Sequence, residues 1–486
     1  MSDPVRSILI LGGGSAGLLA ALALRTRLPH VPVTLVRSAK LGVIGVGEGT
    51  NVSVPHFLHG YLGLDQAAFM RRVDPLYKRG VRFIWGSRPH YNFGFGINVA
   101  HEAPGLPRPA GYYCDGDMGR TSVISSLMES GRFFARGPQG APRNIGMFGY
   151  HFENEKLVAF LESEAAARGV AIVDDELRQA AVGECGVEEL RMASGRTFKA
   201  DLYVDASGFQ SELLGKALGE PFESFKSSLF CERAVVGKWA RTAEPVNPHT
   251  TAENMQAGWC WQIEHRHAIA RGYVYAPAFI SDAEAEAEFR RKNPRITDTR
   301  VVKFTSGRYR RLWVRNVVAV GNASGFVEPL EATALGAICE QSNLLVQCLL
   351  DSGQAPGPSM VAGFNRATTA SWDAIRWFLA LHYKFNTRFD TPFWREARAS
   401  ANLGDAEEVI AFYKENGPSH MGRALVPRPV EMFGLDGYWL HLLGMQVPHA
   451  GLRPLPLEEQ IQWAKFQAGI RQMADNGMDF REMHGP

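Results

Sequence analysis

Residues 7–28 read SILILGGGSAGLLAALALRTRL, and this stretch decides the fold. Residues 7–11 are a short apolar run that predicts a buried strand. Gly12-Gly13-Gly14-Ser15-Ala16-Gly17 predicts a tight turn, and residues 18–28, rich in Leu and Ala, predict a helix. A second strand is predicted at residues 31–36. Strand, glycine turn, helix and strand in that order form a βαβ opening, which commits the N-terminus to a parallel sheet covered by helices. The turn satisfies G-x-G-x-x-G in the context that the motif requires. Its glycines let the backbone approach a pyrophosphate, and the helix N-terminus offers free amides and a favourable dipole. A dinucleotide is expected there; the plainer alternative is a turn that only packs a helix on a strand. The acid expected about 20 positions further on, for a ribose hydroxyl, is missing. Arg37-Ser38-Ala39-Lys40 stands in its place. Arg37 would either accept a 2′-phosphate, making NADP the ligand, or be a surface charge beside a ribose held by backbone and Ser38.

Further strand-like runs at residues 170–173, 202–204 and 317–320 place sheet segments far apart in sequence. Residues 91–142, rich in Gly, Pro and aromatics without sustained periodicity, read as long loops over a site. Beyond residue 350 the pattern turns helical, at 364–383, 405–416 and 457–473. The expected fold class is α/β. A nucleotide-binding domain with an inserted substrate-side sheet and loops takes residues 1–350, and a helical C-terminal subdomain takes 351–486. Two later segments favour flavin over nicotinamide. Val204-Asp205-Ala206-Ser207-Gly208 and residues 318–325, VAVGNASG, each set a strand against a small-residue turn. The second continues through Phe326-Val327-Glu328-Pro329-Leu330-Glu331-Ala332-Thr333-Ala334-Leu335 into a helix, a further set of amides suited to a flavin edge or a small anion.

Composition narrows the class. The 486 residues are 45% apolar and 21% charged, which excludes disorder, collagen and a disulfide scaffold. A net charge of +2 supplies no field for nucleic acid or an anionic membrane. The six cysteines form no C-x-x-C pair and have no histidines at zinc spacing, so they read as reduced thiols of a cytoplasmic protein, and no metal site is expected. The apolar stretch 8–24 is split by three glycines and is not read as a signal peptide.

In chain order the sequence also carries GVGEGT at 45–50, YKRGVRF at 77–83, DASGF at 205–209, GWCWQI at 258–263, the 326–335 segment, and DTPFW at 390–394. Over nearly the whole chain these segments resemble the flavin-dependent tryptophan halogenases. The resemblance implies an oxidoreductase with FAD in a Rossmann-like domain of the para-hydroxybenzoate-hydroxylase type, a mixed substrate sheet and a helical C-terminal subdomain. It implies FADH2 from a separate flavin reductase, oxygen, and chloride or bromide oxidised to hypohalous acid that travels down a tunnel. Lys78 matches the lysine that hydrogen-bonds this acid or becomes a haloamine, a role that burial favours by disfavouring the charged amine. Its plainer reading, beside Arg79 and Arg82, is a solvated basic face.

Glu331 matches the glutamate that stabilises or deprotonates the cationic ring, the plainer reading being an acid at a helix N-terminus. Thr333 and Ala334 match the positions whose amides hold halide. The FAD contacts implied are Gly12, Gly13, Gly14, Ser15, Ala16, Gly17, Ser38, Leu41, Gly49, Leu177, Asn322 and Leu335. Trp259 and Trp261 match the tryptophans of W-x-W-x-I-P that keep substrate off the flavin; they would equally serve as period-two packing on one strand face.

The chain departs from the family at four points. Glu264 replaces the motif proline, Ala332 replaces a serine, Ala334 replaces a glycine and should restrict the halide turn, and Arg37 replaces the ribose acid. The stretch 419–439 is short and offers chiefly Phe433, Tyr438 and Trp439, which suggests an indole, a phenol or a larger aromatic as substrate rather than free tryptophan. Two rival readings stand: an aromatic monooxygenase of the same fold, and a non-catalytic flavin-binding protein. Arg308, Arg310, Arg311 and Arg315 are expected to be a solvated strand edge, and His265 and His267 a surface pair without metal. The expected partners are a small aromatic and the reductase, with no nucleic acid and no membrane; oligomeric state is open, a homodimer being one option.

Overall fold

The computed structural model describes residues 4–484 except 41, 43–46, 97–98, 102, 115, 428–432 and 452–453. The chain folds into two compact units, each assembled from three segments: Met1–Asp74, Phe152–Lys226 and Phe304–Asp373 in the first, and Pro75–His151, Ser227–Lys303 and Ala374–Pro486 in the second. This division differs from the expected boundary at residue 350, and one crossing falls inside the helix Pro358–Lys384. The strand and helix runs read from sequence lie in both units, so a split by sequence position separates segments that fold together.

In the first unit the strand Ile8–Leu11 is buried at every residue, as a strand covered on both faces must be. It lies between Val33–Arg37 and Leu202–Asp205, parallel to both. The six-stranded sheet runs Ala171–Asp174, Val33–Arg37, Ile8–Leu11, Leu202–Asp205, Val317–Ala319, Trp313–Val314, and only the last strand is antiparallel to its neighbour. The helix expected over 18–28 begins earlier, at Ser15, and runs Ser15–Arg27. Leu9, Leu11, Val36, Tyr203 and Val317 form one cluster with Val187, Leu190 and Met192 of a small antiparallel sheet, Leu177–Gly183, Gly186–Met192 and Thr197–Phe198. The strands end together at Gly12, Arg37, Asp205 and Val320, the edge where open parallel sheets bind ligands.

The second unit holds a seven-stranded sheet in the order Arg300–Lys303, Arg233–Ala240, Ala268–Tyr275, Gly258–Glu264, Thr250–Met255, Gly80–Ile84, Tyr91–Gly94. Thr250–Met255 and Gly80–Ile84 pair in parallel and the remaining neighbours antiparallel, so the sheet is mixed. Cys260, Tyr273 and Tyr275 bury one face against Ala285 and Phe289 of the helix Asp282–Lys292. Residues 91–142 are more ordered than the sequence suggested. They contain the strand Tyr91–Gly94 and the helix Val123–Glu129, started by a capping box from Ser122 and Ser125. The helices Pro392–Ser400, Ala406–Asn416, Gly434–Gly444 and Leu457–Asp475 complete the unit. The DTPFW segment caps the first of these: Thr391 Oγ1 accepts from the Trp394 amide at 3.3 Å. The buried Trp394 indole donates to Met255 O at 2.8 Å. No described helix is long and apolar enough to cross a membrane.

Two polar expectations are corrected. Arg308 is not part of a solvated edge, its Nη2 lying 2.8 Å from Asp373 Oδ2, whereas Arg310, Arg311 and Arg315 are exposed, Arg311 bonding both oxygens of Glu220 at 2.9 and 2.6 Å. His267 is exposed but His265 is buried, its amide closing the strand turn onto Ala268 O at 3.0 Å. None of the six cysteines forms a disulfide, and only Cys185 is exposed.

Candidate functional site

The nucleotide turn is built by glycines in three different roles. Gly12 has φ +125, and a Cβ there would fall 2.1 Å from Ala206 O. A Cβ on Gly17 would fall 1.9 Å from Gly12 O, so only glycine lets the helix close on the strand. Gly14, the helix N-cap, faces open space, no side chain caps the helix, and its first turn holds no acid. Ser15 Oγ is held by Asn154 Oδ1 at 2.8 Å. Free amides over open space, with no competing anion, fit a dinucleotide pyrophosphate. Asn322 lies in the turn Gly321–Ala323, which packs so tightly that a Cβ on Gly321 would lie 2.8 Å from Ala16 Cβ. Asp205 in the DASGF segment is structural: its Oδ2 accepts from the amides of Leu213 and Leu214 at 2.8 Å each.

Leu41 lies outside the described residues. Gly49 lies in the two-residue strand Glu48–Gly49. Burial pushes the Glu48 carboxyl up to about 7. The folded chain therefore keeps a proton there from about pH 4.5 to 7 that the unfolded chain has lost, and stability falls as pH rises through that window, by about 3 kcal/mol. Glu48→Gln is expected to remove this loss. Denaturant midpoints of the two proteins should agree at pH 4 and separate by pH 8, with the variant higher; parallel pH dependence would contradict the assignment.

The 326–335 segment turns through two left-handed residues that are not glycine, Glu331 at φ 68 and Ala332 at φ 55. Such backbone costs energy and is found where surroundings hold it in place. The 18-residue helix Ala334–Asp351 follows, with no side-chain cap and no acid in its first turn. Thr333 Oγ1 is buried without a hydrogen-bond partner among the described residues. Ala334 opens the helix in ordinary helical backbone, so the expected restriction from replacing a glycine there does not arise. Leu335 follows it in the same helix, and Glu331 is 5% exposed.

In the second unit Lys78 ends the strand Leu76–Lys78, which pairs antiparallel with Gly149–Phe152 in the register Lys78↔Gly149 and Leu76↔His151. Lys78 is 0% exposed and its Nζ stands 5.4 Å from the centre of the Phe95 ring. The solvated basic face is thus excluded, and its neighbours are occupied elsewhere. Arg79, also buried, donates to Phe133 O at 2.5 Å and Asn144 Oδ1 at 2.8 Å, while Arg82 pairs with Glu129 Oε2 at 2.9 Å. Burial brings the Arg79 guanidinium down to about 10. On the face shared with Lys78, His151 bonds Thr250 Oγ1 at 2.8 Å. Burial, and then the charges of Lys78, His265 and His249, hold its imidazole well below the usual histidine range, so it is neutral at working pH.

Trp259 and Trp261 share one face of Gly258–Glu264, opposite Cys260, with ring centres 6.0 Å apart. Trp261 lies flat over its cross-strand partner Gly272, where a Cβ would fall 1.9 Å from the indole. Its Nε1 has no partner among the described residues. The strand runs on through Glu264, the residue in place of proline. Glu264 is 0% exposed, ion-paired with Arg241, and accepts from Asn247 at 2.9 Å and Gln262 at 2.7 Å.

The three aromatics expected near substrate separate. Phe433 stacks on Phe378 at 3.8 Å and Tyr438 meets the same ring edge-on at 5.1 Å. Trp439 instead sits in a packed core beside Tyr413, its indole donating to Ser419 O at 3.1 Å. Around Phe378 the structure adds residues that sequence reasoning missed. His382 and His441, both 0% exposed, have ring centres 4.2 Å apart. His441 Nδ1 bonds Tyr91 Oη at 3.0 Å, and its ring meets Phe93 edge-on at 5.0 Å. Phe93, which meets His441, and Phe95, which faces Lys78, are two residues apart in the chain. The period-two aromatics Tyr91, Phe93 and Phe95 were the available signal.

A family model described as tryptophan halogenase matches residues 7–457. The tryptophan 6-halogenase ThaL of Streptomyces albogriseolus is 31% identical over 87% of this chain and 84% of its own length. Among solved structures, MibH, named a lathipeptide tryptophan 5-halogenase, superposes with a TM-score of 0.90 at 38% identity, covering 99% of this chain and 93% of its own. BrvH, a flavin-dependent halogenase from Brevundimonas sp. BAL3, gives 0.87 at 28% identity, covering 99% of each chain.

Proposed function

The chain belongs to the tryptophan halogenase family and is a flavin-dependent halogenating enzyme, and from that premise we propose that halogen reaches its substrate through Lys78. The observation that carries this reading is the fully buried amine over Phe95, in a segment whose other two cations are engaged elsewhere. The glycine turn, Ser38, Gly49, Asn322 and Leu335 would hold FAD, which, once reduced by a separate reductase, would activate oxygen as the oxidant of the halide. The amides of Thr333 and Ala334 would hold the halide. Capture at Lys78 forms an N–X bond, breaks the O–X bond of hypohalous acid and releases water using one amine proton. Transfer then forms the carbon–halogen bond, and the ring proton passes back to the nitrogen. Glu331 would stabilise the positive charge present on the ring between those events, a charge absent from the ground state.

The substrate is an electron-rich ring, an indole or phenol, carried on something other than free tryptophan. Phe378, Phe433, Tyr438, His382 and His441 offer ring surface for an aromatic substrate. MibH, a relative named for a peptide substrate, makes a peptide-borne tryptophan the first candidate. With a flavin reductase, FAD and bromide or chloride, mass spectrometry should find halogenated indole or tryptophan peptide and slow reaction of free tryptophan. A product gaining oxygen and no halogen would overturn the halogenase reading for this chain, and efficient turnover of free tryptophan would overturn the substrate assignment.

A further inference from the structure

Position 37 carries a cation where dinucleotide folds place the ribose acid, yet that cation is not presented to a ligand. Arg37 Nη2 lies 3.0 Å from Glu162 Oε1 and Nη1 lies 3.9 Å from Asp174 Oδ1. The stem of Arg37 runs against the nucleotide turn, since a Cβ on Gly13 would fall 2.4 Å from Arg37 Cβ. Beyond it, at the same strand ends, Ser38 Oγ donates to Glu176 Oε1 at 3.0 Å and Lys40 Nζ lies 3.3 Å from the same oxygen. Glu176 Oε2 accepts no bond among the described residues. Glu176 directly precedes Leu177 and follows the strand Ala171–Asp174, which pairs with Val33–Arg37 through Asp174↔Arg37. An acid has thus come to the ribose position from the neighbouring strand. The cluster sets two cations, Arg37 and Lys40, among three carboxylates, Glu162, Asp174 and Glu176. Its surplus is negative, which repels a 2′-phosphate and suits a free diol.

We infer that Glu176 is the ribose-recognising residue of this site, its carboxylate accepting from the adenosine ribose hydroxyls while Arg37 is held by Glu162 and Asp174 as a support. The inference rests on the dinucleotide reading of the glycine turn and chooses FAD over NADP. A carboxylate bonded to a ribose hydroxyl is a charge-assisted contact worth roughly tenfold in affinity.

The test is displacement of FAD from the full chain, followed by flavin fluorescence, with ADP, 2′-deoxy-ADP and adenosine 2′,5′-bisphosphate as competitors. The parent should prefer ADP to 2′-deoxy-ADP by roughly tenfold and reject the 2′-phosphate, and Glu176→Gln should bring the first two within about twofold. The ligand-free unfolding midpoint of the variant should match the parent's, and Glu176→Asp should recover part of the preference. If the preference for ADP survives Glu176→Gln, or is absent from the parent, Glu176 does not read the ribose. If neither ADP nor its deoxy form displaces FAD, the dinucleotide reading of the turn fails as well.

Discussion

Replacing Lys78 by methionine is expected to lower halogenation by about a thousandfold while the protein folds and binds flavin. Methionine keeps a flexible chain of similar length and removes the amine, and a thioether beside the Phe95 ring is a favourable contact. Arg79 and Arg82 keep their own partners through the change. The loss therefore reports the chemistry at Nζ rather than a collapse of the strand Leu76–Lys78. Lys78→Arg should fail nearly as badly, since a guanidinium stays protonated and offers no lone pair for capture. Product is read by mass spectrometry and oxygen uptake alongside it: uptake should continue with halogenation gone. Halogenation within tenfold of the parent would remove Lys78 from the mechanism.

The second large effect is on stability. Glu264→Ala is expected to destabilise the chain by about 3–5 kcal/mol, because it leaves Arg241, 7% exposed at its side chain, buried without its counter-charge. Asn247 and Gln262 lose their acceptor in the same step. Glu264→Pro would restore the family motif and is expected to be no better, since the network built around the carboxylate is lost either way. Replacing both partners, Glu264→Leu with Arg241→Met, should recover most of the loss, as an apolar pair often substitutes for a buried ion pair. Equilibrium denaturation measures all three. A single-variant loss under about 1 kcal/mol would mean that the network contributes little.

What was legible in the sequence was local. The glycine turn announced the parallel sheet because its spacing, preceding apolar run and following helix all lie within residues 7–28, and Gly12 and Gly17 each leave no room for a Cβ. What stayed hidden depends on partners remote in sequence. Arg37 looked like a free cation because Glu162 and Asp174 lie more than a hundred residues away. Glu264 looked like a fault in a motif because Arg241 was not visible as its counter-charge. His382 and His441 come from different helices and meet only when these pack. The aromatics of Tyr91–Gly94 did alternate as a strand should, but glycines and prolines around them masked the period. The left-handed pair Glu331 and Ala332 could not be anticipated, because neither residue type favours that backbone and the surrounding fold imposes it.

The most direct measurement separates oxidant formation from its use. The enzyme is run with reduced FAD, oxygen and bromide in the absence of substrate, freed of flavin and small molecules by rapid gel filtration, and only then mixed with the aromatic. The expected result is brominated product in an amount approaching one equivalent of protein from the parent chain and none from Lys78→Met, because the halogen is stored on the amine. Equal product from both proteins would contradict the role given to Lys78.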